Sequence, residues 1–226
     1  MPYSSPPAWD KDNPTVILTI NNIVSSIAVT EFGFATFMNP KVNAVFKKIL
    51  DAWTRYLLTP ASASVLTTDG WLSKEAMSKL SEYLPAGETP TEQFKKAFVR
   101  PPNYDDKTWG FESWDNFFTR RFIDIDKTRL LPTLDDPDVI VNACDSRIYK
   151  INPEAKEDGK FWLKTKEYSL RMMLNDDEFA PRFYNGTVYQ AYLSVWDYHR
   201  WHSPVNGIVR KVINVPGAYY AVPPDF

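Results

Sequence analysis

Apolar residues in the first half of the chain recur at the spacing of α-helices. The longest run follows Asn39-Pro40, a pair that suits the N-cap and first position of a helix. Its apolar positions are Val42, Val45, Phe46, Ile49, Leu50, Trp53 and Leu57. A second helix is predicted from Ser73 to Pro85, and a third after the capping sequence Thr89-Pro-Thr-Glu92. These runs predict amphipathic helices.

A fourth helix is predicted where aromatic residues dominate the apolar face. Ser113 is suited to cap it, and the face consists of Trp114, Phe117, Phe118 and Phe122. Arg120 and Arg121 are expected at the margins of this face. An aromatic stripe of this kind is more typical of a hydrophobic core than of a ligand contact. We therefore expect these aromatic side chains to pack in a core.

Turn-forming residues at 132–137 separate the helical pattern from shorter, strand-like runs. The runs that follow are rich in β-branched and aromatic residues, as is typical of antiparallel strands. The predicted strands are 139–141, 147–151, 161–164, 186–195 and 207–215, with a brief helix over 168–175. The pattern therefore predicts an α+β fold.

The same change of pattern defines the predicted domain organisation. Residues 1–31 are expected to form an N-terminal arm, because Met1 to Asn13 is rich in proline and serine. Residues 32–131 form a helical N-terminal region. Residues 132–226 are expected to form the first part of a mainly antiparallel, β-rich domain.

Charge and composition argue against several classes of function. The chain has 226 residues, a formal net charge of -2 and an isoelectric point near 5.8, so no cationic field would attract nucleic acid. Its single cysteine, Cys144, cannot form an internal disulfide, which fits a reducing compartment such as the cytoplasm. Polar residues interrupt the uncharged run from Asn13 to Thr30, so neither a membrane span nor a secretory signal is predicted.

Both histidines of the chain lie in one short segment, Asp197-Tyr-His-Arg-Trp-His-Ser-Pro204. Histidine moves protons near neutral pH, and a neighbouring carboxylate supports its charged form, so His199 and His202 are candidate catalytic residues. Two alternatives stay open. Asp197 and Arg200 can pair on the surface beside packed histidines, or the imidazoles and Asp197 can bind zinc. On a regular strand, residues three apart face opposite sides, so we expect only one histidine in a buried site.

Three segments resemble motifs of the phosphatidylserine decarboxylase family and occur in the family's order. Tyr192–Gly207 is similar to the stretch that ends in D-Y-H-R-x-H-x-P-x-x-G, and Trp109–Phe122 is similar to F-x-S-x-x-x-F-F-x-R-x-F. Tyr168–Leu174 resembles Y-S-L-x-x-L-L. Residues 205–220 are especially similar to the family's fungal, L-tryptophan decarboxylase-like branch. The resemblance extends over about residues 32–224.

The resemblance implies a lyase that cuts its own chain and so makes its cofactor, a pyruvoyl group, from a serine. In such proteins an aspartate, a histidine and the serine cooperate in the cleavage. By motif position, His202 matches the histidine of this triad. Asp145 matches the aspartate, although Ser146 stands where the family has glycine and the family's proline is absent. His199 matches a second histidine, which is associated with decarboxylation and is expected to position the substrate carboxylate or return a proton. No metal is expected.

The chain reaches Phe226 without a counterpart of the family's Gly-Ser-rich processing site, so the reactive serine is expected beyond it. The resemblance therefore implies the histidine-bearing N-terminal part of an aromatic amino-acid decarboxylase of the L-tryptophan type, inactive alone. Its expected partners are the small amino-acid substrate and a C-terminal, pyruvoyl-bearing chain or segment. The alternatives are a decarboxylase that makes phosphatidylethanolamine from phosphatidylserine, and a truncated, non-catalytic remnant.

Overall fold

The computed structural model describes residues 19–87, 89–101, 107–129, 136, 138–159, 161–163 and 166–221. These residues belong to two compact units. The described part of unit 1 comes from Asp51–Ser146 and Leu193–Ile208. Unit 2 comprises Ile17–Leu50, Arg147–Tyr192 and Val209–Phe226. Residues 1–18 of the arm predicted over 1–31, and most of the predicted boundary at 132–137, lie outside the described residues.

Helices dominate the first half of the described chain, and short strands follow. The α-helices are α1 (Thr19–Ala28), α2 (Glu31–Met38), α3 (Pro40–Leu57), α4 (Lys74–Leu80), α5 (Pro90–Ala97), α6 (Trp114–Phe118), α7 (Ile125–Thr128) and α8 (Leu170–Met173). Two 3-10 helices span Pro60–Val65 and Ala180–Phe183. The strands are β1 (Arg147–Ala155), β2 (Phe161–Leu163), β3 (Lys166–Tyr168) and β4 (Gly186–Tyr192). None of the described helices combines the length and apolarity needed to cross a membrane.

Side-chain caps fix the starts of the helices that the sequence predicts. Ser73, Thr89 and Ser113 each accept a hydrogen bond from the backbone N–H three residues later, at 3.1–3.2 Å. Asn39 Oδ1 accepts the N–H of Lys41 at 2.9 Å at the start of α3. The predicted helical N-terminal region is thus confirmed, and α1 and α2 precede the first predicted helix.

The described strands form two small antiparallel sheets, so the β-rich prediction is supported only in part. β1 pairs with β4, with Arg147 opposite Tyr192, and β2 pairs with β3. The predicted strands at 139–141 and 207–215 do not form. Single backbone bonds replace a ladder at the first of them, where the N–H of Val141 donates to the Pro204 carbonyl at 3.0 Å. A strand needs a continuous neighbour for its backbone groups, and the described residues provide none for 207–215.

The core of unit 1 is an aromatic cluster, as the stripes in the sequence predict. Phe94, Phe98 and Phe117 are among its fully buried side chains. The Phe94 and Phe98 ring centroids lie 4.7 Å apart, and Trp71 and Trp114 meet edge to face at 4.6 Å. Such contacts add to the free energy of burying large apolar surfaces. The helix α6 therefore joins the protein core through its aromatic face.

Unit 2 contains two smaller apolar clusters. In the first, Phe37 of α2 and Phe46 of α3 pack with Tyr220, whose ring centroid lies 5.1 Å from that of Phe46. Asn43 supports this cluster, because its Oδ1 accepts the N–H of Tyr219 at 2.6 Å. The second cluster is built on Leu170. The helical and strand segments of this unit are thus each stabilised by local burial.

Ser62 is a buried polar residue that ties sequence-distant parts of unit 1 together, and it is 0% exposed. Its hydroxyl lies 2.8 Å from the Leu57 carbonyl oxygen and 2.7 Å from that of Thr59, and it accepts the N–H of Trp114 at 2.8 Å. This last bond joins the 3-10 helix to the start of α6. Because buried backbone donors require partners, Ser62 fixes where α6 begins.

We expect Ser62→Ala to lower the free energy of unfolding by about 1–3 kcal/mol, because it leaves the Trp114 N–H buried without an acceptor. Urea titration followed by tryptophan fluorescence measures this loss. Ser64→Ala is the matched control, since Ser64 lies in the same 3-10 helix but is exposed. Equal stabilities of the two variants would contradict the assignment.

Candidate active site

The segment that carries both histidines packs onto the aromatic core of unit 1. Trp196 and Tyr198 are buried. Their ring centroids lie 5.0 Å from that of Trp71 and 4.1 Å from that of Phe122, respectively. Because these two side chains point into the core, the neighbouring residues of the segment lie along the surface of α6. The segment is irregular rather than a strand.

His199 lies against Phe118, the last residue of α6. The two rings are stacked, with centroids 3.9 Å apart and an angle of 23° between their planes. The residue is half-buried, and its Nε2 atom is buried without a hydrogen-bond partner among the described residues. Buried polar atoms normally have partners, so this nitrogen is suited to meet a group that the described residues do not include.

Burial lowers the pKa of His199 below its usual value of 6.5. The positive charge of Arg120 lowers it further, whereas the carbonyls of Val195 and Ser194 and the carboxylate of Asp145 act in the opposite direction. Because desolvation is the largest of these causes, the imidazole is predominantly neutral near neutral pH.

Arg120 is a buried cation in the aromatic core, with 3% of its surface exposed. Its guanidinium carbon lies 4.7 Å from the ring centroid of Phe98, and its Nη2 donates to the carbonyls of Trp196 at 3.5 Å and Asp197 at 3.2 Å. Burial lowers its pKa to about 10, so it remains charged at neutral pH. The expectation that Arg120 lies at the helix margin is therefore wrong, because carbonyls and aromatic rings solvate its charge inside.

Arg200 binds the backbone at the end of α6 and does not pair with Asp197. Its Nε donates to the Thr119 carbonyl at 2.8 Å and to the Arg120 carbonyl at 3.3 Å. The Asp197 carboxylate accepts the N–H of Ser194 at 3.0 Å. The surface ion pair considered from the sequence is thus replaced by two separate contacts with the backbone.

Asp145 is held by Arg129. The Nε atom of Arg129 donates to both carboxylate oxygens, at 2.9 and 3.1 Å, and its Nη1 donates to the Tyr83 carbonyl at 3.1 Å. The Arg129 guanidinium also lies over the ring of Phe122, at 4.9 Å from its centroid. The Nη2 atom of Arg129 also donates to Oδ2 of Asp145, at 2.5 Å. Because Nε and Nη2 are parallel donors on one rigid group, Arg129 fixes the direction of the Asp145 carboxylate.

His202 is exposed and lies beside the segment that contains Asp145. Its backbone N–H donates to the Ala143 carbonyl at 2.8 Å. With the bond from Val141 to Pro204, this contact aligns 141–143 antiparallel to 202–204. The structure therefore brings the two backbones together, although no hydrogen bond between the described atoms joins the Asp145 carboxylate to the His202 ring. One histidine is partly buried and the other exposed, but the segment is not a strand, so this difference does not arise from the strand alternation assumed for the prediction.

Sequence patterns missed the contacts that organise this site. Arg129 carries no motif signal, and the stacking of Phe118 on His199 joins residues that are 81 positions apart. The rule that unpaired cations stay at the surface misplaces Arg120. A usable signal was its spacing of three from Phe117, which puts Arg120 near the buried face of α6. Among the described residues, no group of three His, Cys, Asp or Glu side chains is placed to hold a metal ion.

Family models match two parts of the chain. A model described as phosphatidylserine decarboxylase matches residues 114–226, and a second model for the same enzyme matches residues 3–80. The first match covers half of the chain and contains α6 and both histidines.

Curated relatives agree with these matches. The decarboxylase iboD of Amanita muscaria is 40% identical over 199 residues, which cover 87% of this chain and 54% of that protein. The L-tryptophan decarboxylase of Psilocybe cyanescens is 36% identical, over 89% of this chain and 46% of that protein. A phosphatidylserine decarboxylase proenzyme of Chlamydia caviae is 29% identical, over 69% of this chain and 48% of that protein.

The chain spans about half the length of these relatives. Two family models and relatives from fungi and bacteria thus agree on one assignment. The chain belongs to the phosphatidylserine decarboxylase family, with fungal decarboxylases among its relatives.

Proposed function

We propose that this chain is the histidine-bearing part of a pyruvoyl-dependent decarboxylase that acts on an aromatic amino acid of the L-tryptophan type. The observation that carries the proposal is His199, whose buried Nε2 atom has no partner among the described residues and whose ring is fixed on Phe118. The substrate class is supported by the L-tryptophan decarboxylases of two Psilocybe species, which are 34–36% identical to the chain.

The residues present fit the pyruvoyl group on which the family depends. Bound in such a site, this group supplies a carbonyl that condenses with the substrate amine and withdraws electrons as carbon dioxide leaves. A neutral imidazole with an unpartnered nitrogen suits a proton or a hydrogen-bond donor of the substrate. His199 is thus the residue of this chain proposed to meet the reacting end of the substrate.

The neutral state of His199 restricts what it does in the reaction. A neutral ring accepts a proton or a hydrogen bond at its free nitrogen, and it returns a proton only after it has taken one. We therefore assign His199 first to orienting the protonated or hydrogen-bonded substrate, and then to returning a proton to the carbon that loses carbon dioxide. Stacking on Phe118 holds the His199 ring in one orientation during both steps.

Self-cleavage is assigned to His202 and Asp145. The exposed imidazole of His202 would take the hydroxyl proton of the processing serine, and the Asp145 carboxylate would orient that imidazole. Oδ2 of Asp145 accepts from both Nε and Nη2 of Arg129, whereas Oδ1 accepts only from Nε and keeps a second lone pair for another donor. The aligned backbones of 141–143 and 202–204 support this pairing.

The proposed partner is the C-terminal segment that carries the processing serine. Three apolar residues of the stretch 207–215 are largely exposed, with 76–86% of the surface of Ile208, Val209 and Val212 accessible. Exposed apolar side chains mark interaction surfaces, and a segment that forms no sheet among the described residues can pair with a neighbouring strand. Relatives about twice as long as this chain contain further sequence able to supply such a strand.

Two other functions remain as alternatives. Relatives named phosphatidylserine decarboxylase proenzyme favour a lipid substrate, for which the same histidines would serve. A non-catalytic protein that retains only this part of the family fold is the second alternative. Substrate assays and mass spectrometry distinguish both alternatives from the proposed function.

We expect substitutions of the two histidines to affect different reactions, self-cleavage and decarboxylation, in a full-length protein that carries the processing segment. His202→Ala should leave the polypeptide uncut, because no base takes the serine proton. His199→Ala should be cut and acquire the carbonyl group but lose at least about 10²-fold in decarboxylation rate. Mass spectrometry of the chains and tryptamine release measure the two steps.

Asp145→Asn should slow cleavage in the same assay, since the amide holds the His202 ring less well. Arg55→Ala, a change at an exposed residue of helix α3, is the control and should be cut normally. Cleavage in His202→Ala at the rate of the unchanged protein would refute the triad assignment.

We expect the imidazole of His199 to titrate below pH 6.5, because burial opposes its protonation. The His202→Gln variant contains a single imidazole, so its titration by ¹H–¹⁵N correlation spectroscopy needs no assignment. The unfolded chain binds this proton more tightly than the folded chain, so the free energy of unfolding should decrease as pH falls from 6.5 through the folded pKa. A midpoint at or above 6.5 would contradict the proposed neutral state.

We expect the full-length protein to release tryptamine from L-tryptophan and no phosphatidylethanolamine from phosphatidylserine vesicles. Activities on tyrosine and phenylalanine should define how strongly the indole is preferred. Conversion of the lipid without tryptamine would establish the lipid substrate instead. A natural protein that is neither cut nor carries a carbonyl would establish the non-catalytic alternative.

A further inference from the structure

Two arginines cross between α6 and the histidine segment in opposite directions. Arg120, just after α6, donates to the carbonyls of Trp196 and Asp197 at 3.5 and 3.2 Å. Arg200, in the histidine segment, donates to the carbonyls of Thr119 and Arg120 at 2.8 and 3.3 Å. Each segment therefore binds the main chain of the other through a guanidinium. We call this reciprocal pair the arginine clamp.

The contacts of the arginine clamp lie next to the stacked rings of His199 and Phe118 in both segments. Its contacts on the histidine segment lie two and three residues before His199 and one residue after it. Its contacts on the helix side begin directly after Phe118, the stacking partner of His199. Because the backbone is tied on both sides of the imidazole, the ring has little freedom to leave Phe118.

The clamp depends on the chemistry of arginine. Neither guanidinium contacts a carboxylate among the described residues, and both donate to pairs of carbonyls. Arg120 is also fixed by the rings of Phe94, Phe98 and Phe117, at 4.7–5.5 Å from its guanidinium carbon. A planar group with several rigid donors can satisfy both contacts, whereas a lysine ammonium lacks that geometry.

We propose that Arg120 and Arg200 are positioning residues that hold the His199 imidazole on Phe118 in its reactive orientation. The inference rests on the proposed decarboxylase function and deepens it, since the arginines act on the substrate only through His199. A displacement of about 1 Å in a catalytic group can cost on the order of 10²-fold in rate. Loss of the clamp should therefore lower kcat far more than it changes KM.

The first test measures the ring itself. Arg200→Met removes one half of the clamp from a half-buried position, so the fold should survive. In this chain, with His202→Gln to leave one imidazole, the His199 ring protons should lose the shift caused by the stacked Phe118 ring. Arg121→Met is the matched control, because Arg121 is the exposed neighbour of Arg120, and it should leave those protons unchanged.

The second test measures the reaction. In the full-length protein, Arg200→Met should lower kcat for L-tryptophan by on the order of 10²-fold with a small change in KM, and Arg200→Lys should recover only part of the loss. Arg120→Met, which places an apolar side chain of similar length on the phenylalanine rings, should give a similar loss if circular dichroism shows it folded.

The outcomes separate the clamp from the proposed function. A folded Arg200→Met chain whose His199 ring protons keep their shift would overturn the clamp. Displaced ring protons with full decarboxylation would support the clamp and overturn the proposed role of His199. Displaced ring protons with a selective loss of kcat would support both.

Discussion

Burial of the Arg120 guanidinium is the constraint on which the rest of unit 1 depends. A charge removed from water needs compensating dipoles, and the described environment offers carbonyls and aromatic faces instead of a carboxylate. Of the three carbonyls that serve it, one belongs to Phe117 and two belong to Trp196 and Asp197 of the histidine segment. The core therefore accepts this cation only when the histidine segment is in place, so packing of the core and assembly of the site become one event.

The two histidines occupy environments that suit different chemistry. His199 is shielded, lies on an aromatic ring and is kept neutral by burial. His202 is exposed and is held through its backbone beside the Asp145 segment. A shielded neutral ring suits a repeated step on a small substrate, whereas an exposed ring suits a single reaction on a mobile stretch of polypeptide. One short segment thus presents two imidazoles with different access to solvent.

Local signals in the sequence predicted the helix starts well, because capping depends on a side chain and a backbone N–H only three residues apart. The aromatic core was predictable for the same reason, since its residues repeat along single helices. The prediction of a strand over 207–215 was wrong, because strand pairing depends on a neighbour that the pattern of one segment does not reveal. The contact of Arg129 with Asp145 and the burial of Arg120 were missed because each requires segments far apart in the chain. Motif position located both histidines, but their different exposure came only from the packing of Trp196 and Tyr198.

The insertion of Trp196 and Tyr198 into the aromatic core has a consequence for the motions of the site. A loop attached only at the surface opens by local fluctuation, at a small free-energy cost. Here the site cannot open without withdrawing two large rings from the same cluster that contains Phe94 and Phe98. The amide hydrogens of residues 196–200 should therefore exchange with solvent by the same cooperative opening as those of the core. Opening of the candidate site and unfolding of the core are therefore the same transition.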